Sequence, residues 1–265
     1  MLPLLQADLS SVRAVFTDVD GTLTSRGQLT SSTLRAIEWL TAHQVQVVLV
    51  SGRPSGWGEC WARQLPVAGV IVENGGLAYV RRKGRLHKVY AEADRVRLKN
   101  RAALERHVAA ALNAVKGARL SMDSVATEVD LAIDYAEESS LGPKGADALE
   151  AFLSKRGVTA VRSSVHVNCW LGPFDKRTAV EAFLRTEWKT KLQKNERRFV
   201  YVGDSFNDQP LFEAFPLSIG VANVKQVFDQ LTHPPKFVTR APEGKGFGEV
   251  ADAIGRARRA QRGSS

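Results

Sequence analysis

Two kinds of apolar pattern alternate along the chain. Short runs of mostly β-branched apolar residues indicate strands buried on both faces, and longer segments with an apolar residue every three or four positions indicate helices. The predicted core strands are residues 14–17, 45–50, 69–72, 198–202, 217–221 and 236–239. The predicted helices of this part are residues 30–43, 178–188, 223–231 and 247–260. This alternation is typical of a parallel sheet with crossover helices on its faces.

The region from about residue 80 to residue 168 has a different pattern. Two amphipathic helices are predicted, one around Leu104 and Val108 and one around Leu149 and Leu153. The stretches RLHKVYAEAD (residues 85–94), TEVDLAIDYAE and TAVRSSVHVNCW alternate apolar and polar residues, which indicates antiparallel strands with one exposed face. We therefore predict an α/β fold: a Rossmann-like parallel sheet core, residues 1–80 and 169–265, with an inserted α+β domain, residues 81–168.

Composition sets the broad class of the protein. Of its 265 residues, 44% are hydrophobic and 25% are charged, which is close to the soluble average and enough for a sizeable core. No apolar stretch approaches the roughly 18 residues of a membrane span, and the first residues lack the basic lead of a secretion signal. We expect a cytoplasmic protein without a membrane partner. Cys60 and Cys169 are far apart, so we expect neither a disulfide framework nor a zinc site, and both side chains buried.

The net charge of +9 favours acidic partners, such as phosphorylated metabolites or nucleic acid. The basic residues fall in several separate segments, among them the tail GRARRAQRG, and are interleaved with acids. They do not form one continuous stripe with aromatic partners, as a nucleic-acid-binding surface would. We therefore interpret the basic segments as solvated surface and do not expect nucleic acid as a partner.

Polar residues follow four of the predicted core strands. Ligands of open parallel sheets bind beyond the carboxyl ends of the strands, so these positions predict a common site. Each group alone has a structural explanation as a turn or a helix cap, but capping does not explain several carboxylates converging on one edge. The candidates are Asp18, Asp20, Ser51, Arg53, Asn74, Asp204 and Asp208.

Carboxylates without a histidine or cysteine pattern indicate Mg²⁺ as the bound cation. A divalent ion beside an aspartate, with serine, arginine and lysine nearby, suits phosphoryl transfer. Lys176 begins the first helix after the insertion, so it can reach the same edge of the sheet.

These residues resemble the haloacid dehalogenase superfamily. The segments DVDGT (residues 18–22), VSGR (50–53), Lys176 and GDSFND (203–208) match its four motifs in order. The large insertion preceded by VENGG resembles subfamily IIB, which includes sucrose-phosphate phosphatase and mannosyl-phosphoglycerate phosphatase. The insertion would then be a cap domain that selects the substrate.

The resemblance implies a role for each matching residue. Asp18 would be the nucleophile that forms an aspartyl-phosphate, and Asp20 would be the general acid and base. Ser51 and Lys176 would hold the phosphoryl oxygens. Mg²⁺ would be bound by the Asp18 carboxylate, the Asp20 carbonyl and Asp204, with Asp208 acting directly or through water.

The four motifs do not assign a role to every candidate residue. Arg53 and Asn74 are candidates for substrate contact, although Asn74 could equally form only the turn into the insertion. In the stretch SSVHVNCW at the end of the insertion, His166, Asn168 and Trp170 are candidates for choosing the substrate, with a half-exposed strand of ordinary polar residues as the equal alternative.

The expected function is a Mg²⁺-dependent phosphatase acting on a small phosphorylated metabolite, with a sugar phosphate favoured. A phosphomutase would use the same chemistry with a second phospho-sugar as acceptor. A basic nucleic-acid-binding protein on an inactive scaffold is the least favoured alternative, because all the catalytic positions are intact.

Overall fold

The protein is built around a nine-stranded sheet, with a second, four-stranded sheet in the insertion. The computed structural model describes residues 1–193 and 197–263. The strands are β1 (Leu2–Pro3), β2 (Ala14–Thr17), β3 (Thr24–Ser25), β4 (Gln28–Leu29), β5 (Gln46–Val50), β6 (Gly69–Val72), β7 (Leu77–Arg82), β8 (Arg85–Tyr90), β9 (Arg119–Leu120), β10 (Leu131–Asp134), β11 (Thr159–Arg162), β12 (His166–Trp170), β13 (Phe199–Gly203), β14 (Ser218–Gly220) and β15 (Phe237–Val238).

Seven helices connect these strands within the described residues. They are α1 (Ser31–Ala42), α2 (Ser55–Gln64), α3 (Asp94–Ala114), α4 (Gly142–Ser154), α5 (Lys176–Glu187), α6 (Gln209–Ala214) and α7 (Glu243–Gly263). None of the helices in this part of the chain combines the length and the apolar character that crossing a membrane requires.

The large sheet has the order β1-β15-β14-β13-β2-β5-β6-β7-β8. The first seven strands in this order are parallel, and β7 and β8 extend the sheet as an antiparallel hairpin. All six predicted core strands are present among the parallel ones, which confirms the predicted α/β class.

The strands are apolar on both sides because both faces of the sheet are covered. Along β2, Val15 packs in the cluster that contains Ile37 of α1 and Phe247 of α7. Its neighbour Phe16 packs on the opposite face with Phe183 of α5 and residues of α6. Successive side chains of a strand point to opposite faces, so a sheet between two helical layers has nearly continuous apolar strands.

The insertion has an apolar core of its own. Its antiparallel sheet has the order β11-β12-β10-β9, and helices α3 and α4 pack against it. Leu104 and Val108 of α3 and Leu149 and Leu153 of α4 lie in this core with Val167 of β12. The two helices and the antiparallel strands predicted for this region are therefore present. The predicted exposed face is wrong for β10 and β12, because every residue of these two strands is buried.

The alternating segment 85–90 pairs with β7 in the large sheet. A half-exposed edge hairpin has the same alternating pattern as a strand of the insertion, and the pattern alone does not separate the two. The division between residues 80 and 81 thus falls inside this hairpin, and the domain boundaries stay a prediction.

Two other predictions are wrong. Residues 223–231 do not form one helix: two short 3₁₀ segments, Ala222–Gln226 and Phe228–Gln230, meet at Val227, whose ψ of 1° interrupts the turn. Cys60 is exposed, because it lies on the outer side of α2 while Trp61 and Ala62 face the core. Cys169 is buried as expected.

Candidate active site

The carboxyl ends of the parallel strands carry the predicted site residues. Strands β2 and β13 are neighbours, with Phe16 opposite Tyr201. This register places Asp18, just after β2, beside Asp204, just after β13, and the Asp18 N–H donates to the carbonyl of Val202 (2.9 Å). Residues almost two hundred positions apart in sequence are therefore adjacent at one edge.

Three of the predicted carboxylates form a buried cluster. Asp18, Asp204 and Asp208 are 5%, 6% and 0% exposed. One oxygen from each lies within 4.8 Å of the others, a spacing at which three oxygens could surround one cation. Hard oxygen ligands of this kind suit Mg²⁺.

Lys176 lies between two of these carboxylates. Its Nζ is 2.8 Å from Asp18 Oδ1 and 2.7 Å from Asp208 Oδ1, and the residue is only 2% exposed. The lysine is in place because α5 begins there: Asp175 caps the helix by accepting the N–H of Thr178 (2.7 Å).

Asp208 is saturated by donors. Its Oδ2 accepts the backbone N–H groups of Asp204 (2.9 Å) and Ser205 (3.0 Å), and its Oδ1 accepts the hydroxyl of Tyr201 as well as Lys176. A carboxylate used in this way orients the lysine and shapes the loop. Asp208 thus connects Lys176 and Tyr201 to the loop that follows β13.

Asp204 is oriented by residues from three segments. Its Oδ1 accepts the hydroxyl of Thr22 (3.1 Å), and its Oδ2 accepts the Asn223 amide (2.8 Å) and the hydroxyl of Ser164 in the insertion (3.2 Å). The insertion thus reaches the carboxylate cluster directly.

The cluster has an excess of negative charge. Burial raises the pKa of Asp18 to about 7, with Asp208 and Asp20 adding to the rise and Lys176 opposing it. Burial also raises the pKa of Asp204 well above its usual range. Three buried carboxylates face one ammonium group within the described part of the site, so a divalent cation would balance the charge.

This excess charge predicts a pH dependence of stability in metal-free protein. A carboxyl whose folded pKa is raised binds its proton more tightly when folded, so the free energy of unfolding falls as pH rises from about 4 towards about 7. The contribution of Asp18 is of the order of 4 kcal/mol. Urea unfolding at several pH values in EDTA measures it, and Asp18→Asn should have a shallower slope. Equal slopes in the two proteins would contradict the prediction.

Asp20 and Arg53 form a bidentate ion pair. Arg53 Nε and Nη2 each lie 2.9 Å from an oxygen of Asp20. The same guanidinium contacts two carboxylates of the insertion, Glu137 (2.5 Å) and Asp123 (3.2 Å). Arg53 therefore joins the core to the insertion directly over the site.

Ser51 and Asn74 lie close to this edge, both buried. The Ser51 hydroxyl accepts the N–H of Arg53 (3.0 Å), which holds the turn after β5. Asn74 forms part of the turn into the hairpin, and its side chain also bonds to Asp130 (2.9 Å) and Asn207 (3.4 Å). Asn74 thus forms the turn, and its contact with substrate stays a prediction.

The three candidates on β12 differ in position. His166 and Asn168 line the cleft that also contains Asp18 and Asp20, and His166 Nε2 lies 2.8 Å from Glu137 Oε2. Trp170 instead stacks with Phe174 and donates its indole N–H to the Phe174 carbonyl (2.8 Å), so its side chain is used in packing.

A cavity of about 800 Å³ opens beside Asp20 between the core and the insertion. Much of its lining is hydroxyl, amide and carboxylate groups, among them those of Tyr135, Glu137, Ser163, Ser164, Asn223 and Gln226.

Sequence reasoning missed Tyr201, Asn223 and Glu137. Asn223 follows β14 closely, so extending the strand-end rule to the fifth parallel strand would have found it. Tyr201 lies inside a strand, so its sequence context predicts a core residue. Nothing in the sequence marks Glu137 as a partner of Arg53.

The model of the family described as haloacid dehalogenase-like hydrolase matches residues 15–139. The match includes the first two of the four motifs, residues 18–22 and 50–53, and agrees with the resemblance predicted from the sequence. A comparison with curated proteins finds no match to the chain.

Solved structures share the fold over nearly the whole chain. A Thermoplasma acidophilum protein is 21% identical, with a TM-score of 0.68 over 92% of this chain and 98% of its own. The trehalose-6-phosphate phosphatase C-terminal domain of C. albicans is 15% identical, with a TM-score of 0.68 over 97% and 98%. The sucrose-phosphatase of Synechocystis sp., solved with sucrose and phosphate, is 16% identical, with a TM-score of 0.62 over 93% and 98%.

Proposed function

We propose that the protein is a Mg²⁺-dependent phosphatase that hydrolyses a small phosphorylated metabolite, with sugar phosphates as the favoured class. The observation that carries the proposal is the position of Lys176, buried between Asp18 and Asp208 beside Asp204. A fixed ammonium group and a cation-deficient carboxylate cluster suit a reaction that accumulates negative charge on phosphoryl oxygens.

The donor set fits Mg²⁺. Asp18, Asp204 and the Asp20 carbonyl would hold the ion, with Asp208 acting through water. When bound, the ion supplies neutralisation of phosphoryl charge.

Asp18 is the proposed nucleophile. One of its carboxylate oxygens attacks phosphorus, the bond from phosphorus to the leaving oxygen breaks, and an aspartyl-phosphate forms. Lys176 and Ser51 hold the transferring oxygens, and Lys176 also fixes the Asp18 carboxylate. Water then hydrolyses the intermediate and returns Asp18 to its starting form.

Asp20 is the proposed proton carrier. It protonates the departing oxygen and later takes a proton from the attacking water. Both carboxylate oxygens of Asp20 accept hydrogen bonds from Arg53 in this structure. Arg53 therefore has to release at least one of these oxygens before that oxygen can contact the substrate.

The insertion, proposed as a cap over residues 81–168, would close the site and choose the leaving group. The hydroxyl, amide and carboxylate groups in the lining of the cavity beside Asp20 would bind the hydroxyls of a polyhydroxylated leaving group. The sucrose-phosphatase and trehalose-6-phosphate phosphatase with the same fold support the sugar-phosphate class.

A phosphate-release screen tests this function. Purified protein is incubated with phosphorylated sugars, nucleotides and acids in Mg²⁺, and free phosphate is measured. We expect turnover of at least one sugar phosphate, a loss of at least about 100-fold in EDTA, and recovery when Mg²⁺ is restored. Transfer to a phosphorylated product without phosphate release would indicate a mutase. Release that is unchanged in EDTA would contradict the proposal.

A further inference from the structure

Glu73 is a buried carboxylate outside the proposed chemistry. It follows β6 directly, is 0% exposed and does not line the cleft that contains Asp18 and Asp20. Glutamate is almost never fully buried unless its charge is compensated. The groups that compensate it show what the residue does.

Four backbone N–H groups converge on the Glu73 carboxylate. Ser55, the first residue of α2, donates to Oε1 (2.8 Å). The other three donors belong to the insertion: Glu128 (3.0 and 3.1 Å to the two oxygens), Val129 (2.6 Å) and Asp130 (3.0 Å). One side chain therefore ties the core, at the start of a helix, to three successive residues of the insertion.

The same segment of the insertion is also packed tightly on the core. Val129 is 6% exposed and belongs to the apolar cluster of the large sheet. A Cβ at Gly76 would lie 2.9 Å from Val129 Cγ1, and one at Gly56 would lie 3.1 Å from the Ala126 Cβ. Residues 126–130 are thus held against the core by close packing as well as by the hydrogen bonds to Glu73.

A second carboxyl, that of Asp130, connects residues 126–130 to the loop that carries Asp208. Asp130 accepts the amide of Asn74 (2.9 Å), and Asn74 accepts the amide of Asn207, the neighbour of Asp208 (3.4 Å). Burial raises the pKa of Asp130 well above its usual range, and the Glu73 carboxylate adds to the rise. Burial also raises the pKa of Glu73, and the four N–H groups oppose that rise.

The backbone at this point is in an uncommon conformation. Glu73 and Asn74 have φ of 50° and 53°, in the left-handed region that non-glycine residues rarely adopt. This conformation is unfavourable for non-glycine residues, and in it the side chains of both residues contact the insertion.

We propose that Glu73 is a positioning residue: its hold on the backbone of residues 128–130 seats the insertion on the core and so sets the cap over Asp18 and Asp20. Without the hydrogen bonds from residues 128–130 to Glu73, the cap adopts several positions on the core. Substrate then binds only the fraction of molecules in which the cap is closed.

Hydrogen–deuterium exchange tests the structural half of this proposal without any assumption about activity. In Glu73→Gln, one oxygen is replaced by an NH₂ group that faces N–H donors. We expect amides 128–130 to exchange at least about tenfold faster while those of β2 keep their protection. The matched control is Glu59→Gln, on the outer side of α2, where Glu59 pairs only with Arg63 among the described residues. It should change neither set.

A loss of protection spread evenly over β2 and residues 128–130 would overturn the proposal, because it would show global destabilisation. If Glu73→Gln fails to fold, exchange in the wild-type protein still tests the proposal. Amides 128–130 that exchange as fast as the amide of exposed Val125 would overturn the proposal. In Gly76→Ala, the added methyl group lies too close to Val129 without changing any charge, so the same three amides should exchange faster.

The kinetic half rests on the proposed function and uses para-nitrophenyl phosphate as the probe. A bound substrate restores the closed cap, so Glu73→Gln should raise KM about threefold or more and leave kcat within about twofold. A fall in kcat at unchanged KM would overturn the positioning role. No turnover by wild-type protein would count against the phosphatase assignment instead, and the exchange result would stand separately.

Discussion

Asp18→Asn should reduce phosphate release by at least about 1,000-fold while the protein stays folded. The amide has nearly the shape of the carboxylate but cannot attack phosphorus. It also removes one of three buried negative charges, so the variant should be at least as stable as wild type in EDTA. Phosphate release and urea unfolding measure the two effects on the same preparation.

Asp252→Asn is the matched control for this change, because Asp252 is exposed on α7 and lines neither the cleft of Asp18 nor the cavity beside Asp20. It should retain wild-type turnover. Asp18→Asn turning over within about tenfold of the control would rule out Asp18 as the nucleophile.

Lys176→Met should reduce turnover by at least about 100-fold and also destabilise the fold. The methionine fills much of the volume of the lysine but leaves Asp18 and Asp208 buried without their cation. Removing one partner of a buried ion pair costs about 3–5 kcal/mol. Exposed Lys245→Met is the control and should change neither property.

The double variant Lys176→Met with Asp208→Asn separates the two effects. Removing a negative charge together with the lysine should recover part of the lost stability, because fewer charges are left unpaired. Turnover should stay low, since the ammonium group that holds the phosphoryl oxygens is still missing. Recovery of turnover together with stability would show that Lys176 has only a structural role.

The core of the fold could be predicted because its strands are buried on both faces. Runs such as residues 14–17 and 69–72 have no exposed positions, and their predicted bounds agree with the observed strands. The hairpin of β7 and β8 could not be assigned to the right sheet, because an edge strand of either sheet alternates in the same way.

Helix α2 was not predicted. Its sequence SGWGECWARQ contains two glycines and follows Pro54, so its intrinsic helix propensity is low. In the structure a Cβ at Gly58 would lie 2.8 Å from Val72 Cγ1, so the helix approaches β6 more closely than a larger residue allows. Tertiary packing decides this element.

The catalytic candidates were accessible from sequence because each follows a parallel strand or starts the helix after the insertion. Their partners were not. The pairing of Arg53 with Glu137 and the hold of Glu73 on residues 128–130 depend on how the insertion folds back over the core. No local pattern encodes that contact, since the partners lie more than fifty residues apart.

The most direct measurement is a crystal structure with Mg²⁺ and beryllium fluoride, a stable mimic of a transferred phosphoryl group. We predict the mimic bonded to an oxygen of Asp18, Lys176 beside its fluorines, and one Mg²⁺ at about 2.1 Å from oxygens of Asp18, Asp204 and the Asp20 carbonyl. A metal bound away from Asp18 and Asp204, or a mimic attached to another residue, would contradict the account.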